Sequence, residues 1–145
     1  MKNLDEFIFE AEHIVGSHGI FEMSQVSDKT DQLPKNTEVW VYSEKDEQGT
    51  KPPHFHVLID KSIEFEIKLD DIDTLDIWRS KTIKKDWDNY SNVRKELKKW
   101  LDRPNNEDPE KTNLEVILYL WNVNNKTNRI DRNKFLEEYK KRKNK

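Results

Sequence analysis

The 145-residue chain has the modal size of one domain, carries 38% charged residues at a net charge of −3, and has no run approaching the roughly 18 apolar residues that a membrane span needs. Phe, Ile, Leu and Val make up 36 of the 145 residues, above the roughly 20% below which a charged chain stays unfolded, so one core is expected. The absence of cysteine excludes disulfides, thiolate metal sites and a cysteine nucleophile, and with the acidic start Asn3-Leu4-Asp5-Glu6 in place of an apolar leader it predicts a cytoplasmic protein.

The charge is divided along the chain. Residues 1–76 hold 7 basic and 18 acidic side chains, whereas residues 77–145 hold 19 and 11. Either two faces of opposite sign recognise two partners, or the halves neutralise each other internally.

In chain order, Asn3 with Glu6 has the form of a capping box, and Leu4, Phe7, Ile8, Ala11, Ile14 and Val15 predict an amphipathic helix that ends at Gly16. A short strand over 18–23 and a turn at Leu33-Pro34-Lys35-Asn36 follow. Glu38 to Tyr42 is β-branched and aromatic, a strand, and Glu44 to Thr50 is a charged loop closed by Lys51-Pro52-Pro53. His54–Ile59 and Ile63–Leu69 read as a hairpin, and the acidic stretch Asp70 to Asp76 turns or crosses to a further short strand. Trp87, Tyr90, Val93, Leu97, Trp100 and Leu101 mark a second helix, ended before Pro104. Thr112 with Glu115 repeats the capping-box spacing and opens Leu114 to Trp121, apolar nearly all round and expected to be the most buried helix. Asn124-Asn125 breaks it, Asp131 caps a last helix with Phe135, Leu136 and Tyr139, and the basic residues 140–145 are expected to fray. The fold class is α+β in a single domain over 1–145, with a small, mainly antiparallel sheet of three to four strands packed against three to four helices.

The hairpin carries the chemistry. His54 and His56 lie two apart and leave one face of their strand. A three-residue loop, Asp60 to Ser62, sets Ile59 opposite Ile63, Val57 opposite Phe65 and Phe55 opposite Ile67, which assembles one apolar face. A one-residue slip would bury the polar side chains instead, at several kcal/mol in total. The three-residue loop is therefore expected, with His54, His56, Glu64 and Glu66 forming a polar patch on the other face. Two imidazoles and a cross-strand carboxylate can supply three ligands to Zn²⁺ or Fe²⁺, or act as a proton-transfer pair. On a solvated face the same residues are only a cross-strand His–Glu pair contributing roughly 0.2–1 kcal/mol. His13 and His18 read as a helix-end charge complement and a loop residue. The glycines at 16, 19 and 49 cannot build a phosphate loop, and the serines lack a nucleophile-elbow context.

Val39-Trp40-Val41-Tyr42, the charged loop and Pro52-Pro53-His54-Phe55-His56-Val57 resemble the small bacterial family of unknown function marked by a Pro-Pro-His-Phe-His-Val strand. Trp100-Leu101 with Pro104, Thr112-Asn113, Trp121-Asn122 and Asn124-Asn125 resemble its longer Bacteroidetes-type variant, so the resemblance spans about residues 38–125. Members are small cytoplasmic proteins often encoded in toxin–antitoxin-like pairs or on mobile elements. The resemblance implies a regulatory or interaction role and carries no catalytic assignment.

Three functions compete. The first is a non-enzymatic module that binds a protein partner or itself, with Trp40 and Trp78 as the exposed aromatics. The second is a metal-dependent hydrolase or nuclease built on His54 and His56, the one cofactor reading being a divalent metal on that pair. The third is nucleic-acid binding through the basic segment 79–103, with Lys84, Lys85, Lys95, Lys98 and Lys99 as contacts, against which stands a pI of about 5.9. The interaction module is the leading expectation, with no membrane partner.

Overall fold

In the computed structural model, which describes residues 23–44, 51–80 and 89–144, the β-branched and aromatic runs form a five-stranded antiparallel sheet. Its strands are β1 (Met23–Gln25), β2 (Glu38–Tyr42), β3 (His54–Ile59), β4 (Ile63–Lys68) and β5 (Ile77–Ser80), and each pairs with the next in sequence. The fold is α+β, with one strand beyond the three to four expected.

The β3–β4 register is the one that gathers the apolar face: Ile59 faces Ile63, Val57 faces Phe65 and Phe55 faces Ile67. Asp60 and Lys61 take left-handed conformations (φ 50° and 63°), the hand that matches the twist of a tight hairpin. The Ser62 N–H closes the turn by donating to the Ile59 carbonyl at 3.1 Å. Val39, Val41, Phe55, Val57, Ile59, Phe65 and Ile67 are each no more than 1% exposed and form the sheet side of the core. The other face of the sheet carries Trp40 and Tyr42, His54 and His56, and Glu64 and Glu66, because side chains alternate along every strand.

Three α-helices supply the rest of the core. Helix α1 (Ser91–Leu101) buries Val93, Leu97, Trp100 and Leu101, and α2 (Asn113–Asn124) buries Leu114, Val116, Ile117, Leu118, Leu120 and Trp121. The Thr112/Glu115 capping box opens α2 as the spacing predicts. Between the two helices, buried Asn105 donates to Asn113 Oδ1 at 3.0 Å, and Asn113 donates to the Trp100 carbonyl at 2.8 Å, which satisfies two interior amides with each other.

Helix α3 (Arg132–Lys143) is capped by Asp131, which accepts from the Lys134 N–H at 3.1 Å. Where the composition suggests fraying, the helix runs on through Lys143. Arg142 binds Asp73, Lys143 binds Asp102, and the Tyr139 hydroxyl donates to Asp102 at 2.9 Å, so acids from other elements hold the basic last turn. No helix among the described residues is long and apolar enough to cross a membrane. The expected helix over 4–15 with His13, residues 18–22 with His18, and Lys84, Lys85 and Trp87 lie outside the described residues.

Candidate metal centre

His54 and His56 stand at the mouth of the central strand, on the face opposite the core, where neighbours converge on them from both sides. His54 is wholly buried and His56 is 6% exposed, so the polar patch expected on this face is a covered one and not a solvated His–Glu pair. The cover is aromatic and acidic. Tyr42 stacks on His56 with ring centroids 3.8 Å apart and 16° between planes, while Trp78 and Trp121 approach His54 at 5.0 Å and 5.4 Å.

Trp78 reaches that position through a bulge. Glu66 pairs with Arg79 and Ile67 with Ile77, so β5 spends one extra residue, Trp78, against β4. Such an insertion re-aims side chains. It lets Trp78 pack on His54 while Arg79 lies over the Trp78 ring, 4.0 Å from its centroid. Trp40 and Trp78, expected to be exposed for a partner, are both half-buried. Met23 is the exposed large hydrophobic side chain among the described residues.

Each imidazole is oriented through Nδ1. His54 Nδ1 lies 2.9 Å from the Pro52 carbonyl, and His56 Nδ1 lies 2.9 Å from Glu64 Oε1. Both partners are acceptors, so both Nδ1 atoms carry hydrogen and both Nε2 atoms face inward. There they meet two carboxylates. Glu44 Oε1 is 2.7 Å from His54 Nε2 and 3.5 Å from His56 Nε2, and Glu66 Oε1 is 3.4 Å and 3.7 Å from the same atoms.

The ligand atoms of Glu44, His54, His56 and Glu66 all lie within 4.8 Å of one another. A tetrahedral ion with bonds of roughly 2.0–2.1 Å separates its ligands by about 3.3 Å, so three of the four N···O distances are near coordination edges already. The fourth is a hydrogen bond that lengthens by about half an ångström when an ion replaces its proton. Glu64 is the outer partner that orients His56, as second-layer carboxylates do for metal-bound imidazoles.

The charges are mutually supporting. Burial works against a charged His54, but hydrogen bonds to Glu44, Glu66 and the Pro52 carbonyl raise it to about 9. Hydrogen bonds from His54 and His56 hold the Glu44 carboxyl far below the usual range against the opposing effect of burial. Burial likewise opposes ionisation of Glu66, and His54 and Arg79 overcome it and bring the group to about 2. Burial and the Glu64 carboxylate push the Tyr42 hydroxyl up to about 12, so it stays neutral. His54 therefore carries two hydrogens, and the one on Nε2 occupies the place an ion would take.

Glu44 is the site residue that sequence reasoning missed. Reading 44–50 as one charged loop hid it, although Glu44 continues the alternation Trp40, Tyr42, Glu44. The turn after α2 holds it: the Glu44 N–H donates to Asn125 Oδ1 at 2.7 Å, and Asn125 Nδ2 donates to the Tyr42 carbonyl at 3.0 Å. Asn128 ties the far end of the same loop by donating to the Lys51 carbonyl at 2.5 Å. Lys95, Lys98 and Lys99 are exposed on α1, where Lys99 pairs with Glu96 at 3.6 Å, and they make no part of this centre.

No family model, curated protein or solved structure matches the chain.

Proposed function

We propose that this chain is a metal-binding domain in which His54, His56, Glu44 and Glu66 hold one divalent first-row ion, Zn²⁺ or Fe²⁺, for Lewis-acid hydrolysis. The observation that carries the reading is the convergence of both Nε2 atoms and two carboxylate oxygens, with both Nδ1 atoms already committed to acceptors. Imidazole with carboxylate suits Zn²⁺ and Fe²⁺, and with four protein ligands in place the chemistry requires a fifth position, where a water would have its pKa lowered toward about 7. The Glu44 and Glu66 side chains keep 14% and 17% of their surface, so an ion held by them would be approached by solvent from the carboxylate side, as hydrolysis requires.

The half-burial of Trp40 and Trp78 weakens the part of the interaction reading that rested on them as exposed aromatics. The test is calorimetric titration of chelator-stripped protein with Zn²⁺. We expect about one equivalent to bind, and His54→Gln or Glu44→Gln to weaken binding by roughly 100-fold or more, since outer partners alone cost about 10–100-fold. Binding below about 0.1 equivalent, or unchanged affinity in both variants, overturns the reading.

A further inference from the structure

Two cations stand on the ligands of this centre, an unusual place for positive charge beside a metal. Lys51 Nζ lies 3.3 Å from Glu44 Oε2, and Arg79 Nη2 lies 2.8 Å from Glu66 Oε1. Glu44 follows β2 and Glu66 belongs to β4, so the cations approach from opposite sides of the histidine strand. Both reach solvent, with Lys51 38% and Arg79 44% exposed. The Trp78 ring supports the guanidinium independently of Glu66. Glu66 Oε1, which holds Arg79, is also the oxygen that faces both Nε2 atoms. An ion that takes this oxygen competes with Arg79 for it, while the guanidinium stays seated on the Trp78 ring beside the centre and Lys51 lies at the outer oxygen of Glu44.

Resting on the metal reading above, we infer that the loaded centre binds a phosphate-type oxyanion, one oxygen on the ion and the others on Arg79 and Lys51. A planar guanidinium and an ammonium flanking a divalent ion complement a tetrahedral group with several charged oxygens. A carboxylate has two oxygens and leaves one of the three unmatched. The substrate class is then a phosphate ester, for which inorganic phosphate is the smallest probe.

The experiment uses protein loaded with Co²⁺, whose visible absorption reports its ligands, titrated with inorganic phosphate and, separately, acetate. The expected result is a saturable spectral change with phosphate at an affinity at least tenfold better than for acetate. Arg79→Ala should cut phosphate affinity at least tenfold while binding Co²⁺ as well as or better than the parent, because it frees Glu66. Lys51→Ala should weaken phosphate in the same sense. Equal affinity for acetate, or an Arg79→Ala variant that binds phosphate like the parent, overturns the proposal. A Co²⁺ spectrum indifferent to phosphate overturns it and leaves the metal reading standing, whereas failure to bind Co²⁺ removes both.

Discussion

His54 is protonated in the metal-free centre because its surroundings admit little else: a carbonyl on one nitrogen and two carboxylates on the other. This sets how the empty protein responds to pH. The folded value of about 9 lies above the ordinary 6.5, so the stabilisation is complete below pH 6.5 and is lost as pH rises through 9. Glu66 acts in the opposite sense. Its value of about 2 lies below the ordinary 4.5, so its contribution is complete above pH 4.5 and disappears as pH falls toward 2. With both groups counted, metal-free protein should melt highest between these ordinary values and lose several degrees by about pH 9.5. His54→Gln should flatten that alkaline decline in thermal melts. A decline of unchanged slope would show that another group causes it. Loading reverses the sense, because an ion must expel the Nε2 proton and binds better as pH rises.

At the scale of elements, the centre depends on a clamp far away in sequence. Asn125, at the C-terminus of α2, holds the backbone of Glu44 and Tyr42 with one side-chain amide. Asn125→Ala should lower stability by about 1–3 kcal/mol, as expected when buried polar groups lose their partner. It should also weaken Zn²⁺ binding by roughly tenfold, within the range for outer-layer positioning groups. A calorimetric affinity that does not change would show that Glu44 needs no such support. The contrast between elements also explains what could be read from the sequence. The β3–β4 register was legible because only a three-residue loop places Phe55, Val57 and Ile59 with Phe65 and Ile67. The pairing of His56 with Glu66 followed from that register. Helix α2 was legible from its capping box and apolar run. Trp78 over His54 was not, because a bulge leaves no mark in hydrophobic periodicity. Of the short strand expected over 18–23, Met23 alone lies among the described residues, and β1 runs on from it through Ser24 and Gln25, which show no apolar alternation and pair along the edge of β2. Glu44 fell between: the alternation pointed to it, and the charged loop beyond it concealed the signal.

For the whole molecule, the opposed charges of the two halves pair with each other at the surface of the fold. Arg79 on Glu66, Arg94 on Asp76 and Arg142 on Asp73 each join the basic half to the acidic one. Internal pairing thus takes up part of the charge that could otherwise be read as two binding faces. Pairs this exposed contribute little stability each, about 0–1 kcal/mol, and their larger effect is to set where positive charge is placed. One of them stands at the candidate centre. Zn²⁺ at 100 times its dissociation constant should add about 2.7 kcal/mol to the loaded protein, a rise of roughly 5–11 °C in melting temperature at this chain length.

The order of the strands has a kinetic consequence. Because β1 to β5 follow one another without crossover, Glu44, His54, His56 and Glu66 are close neighbours along the chain, and three of them belong to one hairpin. Short loops close at little entropic cost, and local contacts form early in folding. On the metal reading, a Zn²⁺ ion would gather the three hairpin ligands before α1 to α3 dock, with Glu44 joining once Asn125 is in place. In stopped-flow measurements it should accelerate refolding and leave the unfolding rate nearly unchanged, whereas an effect confined to unfolding would place assembly of the centre after the rate-limiting step.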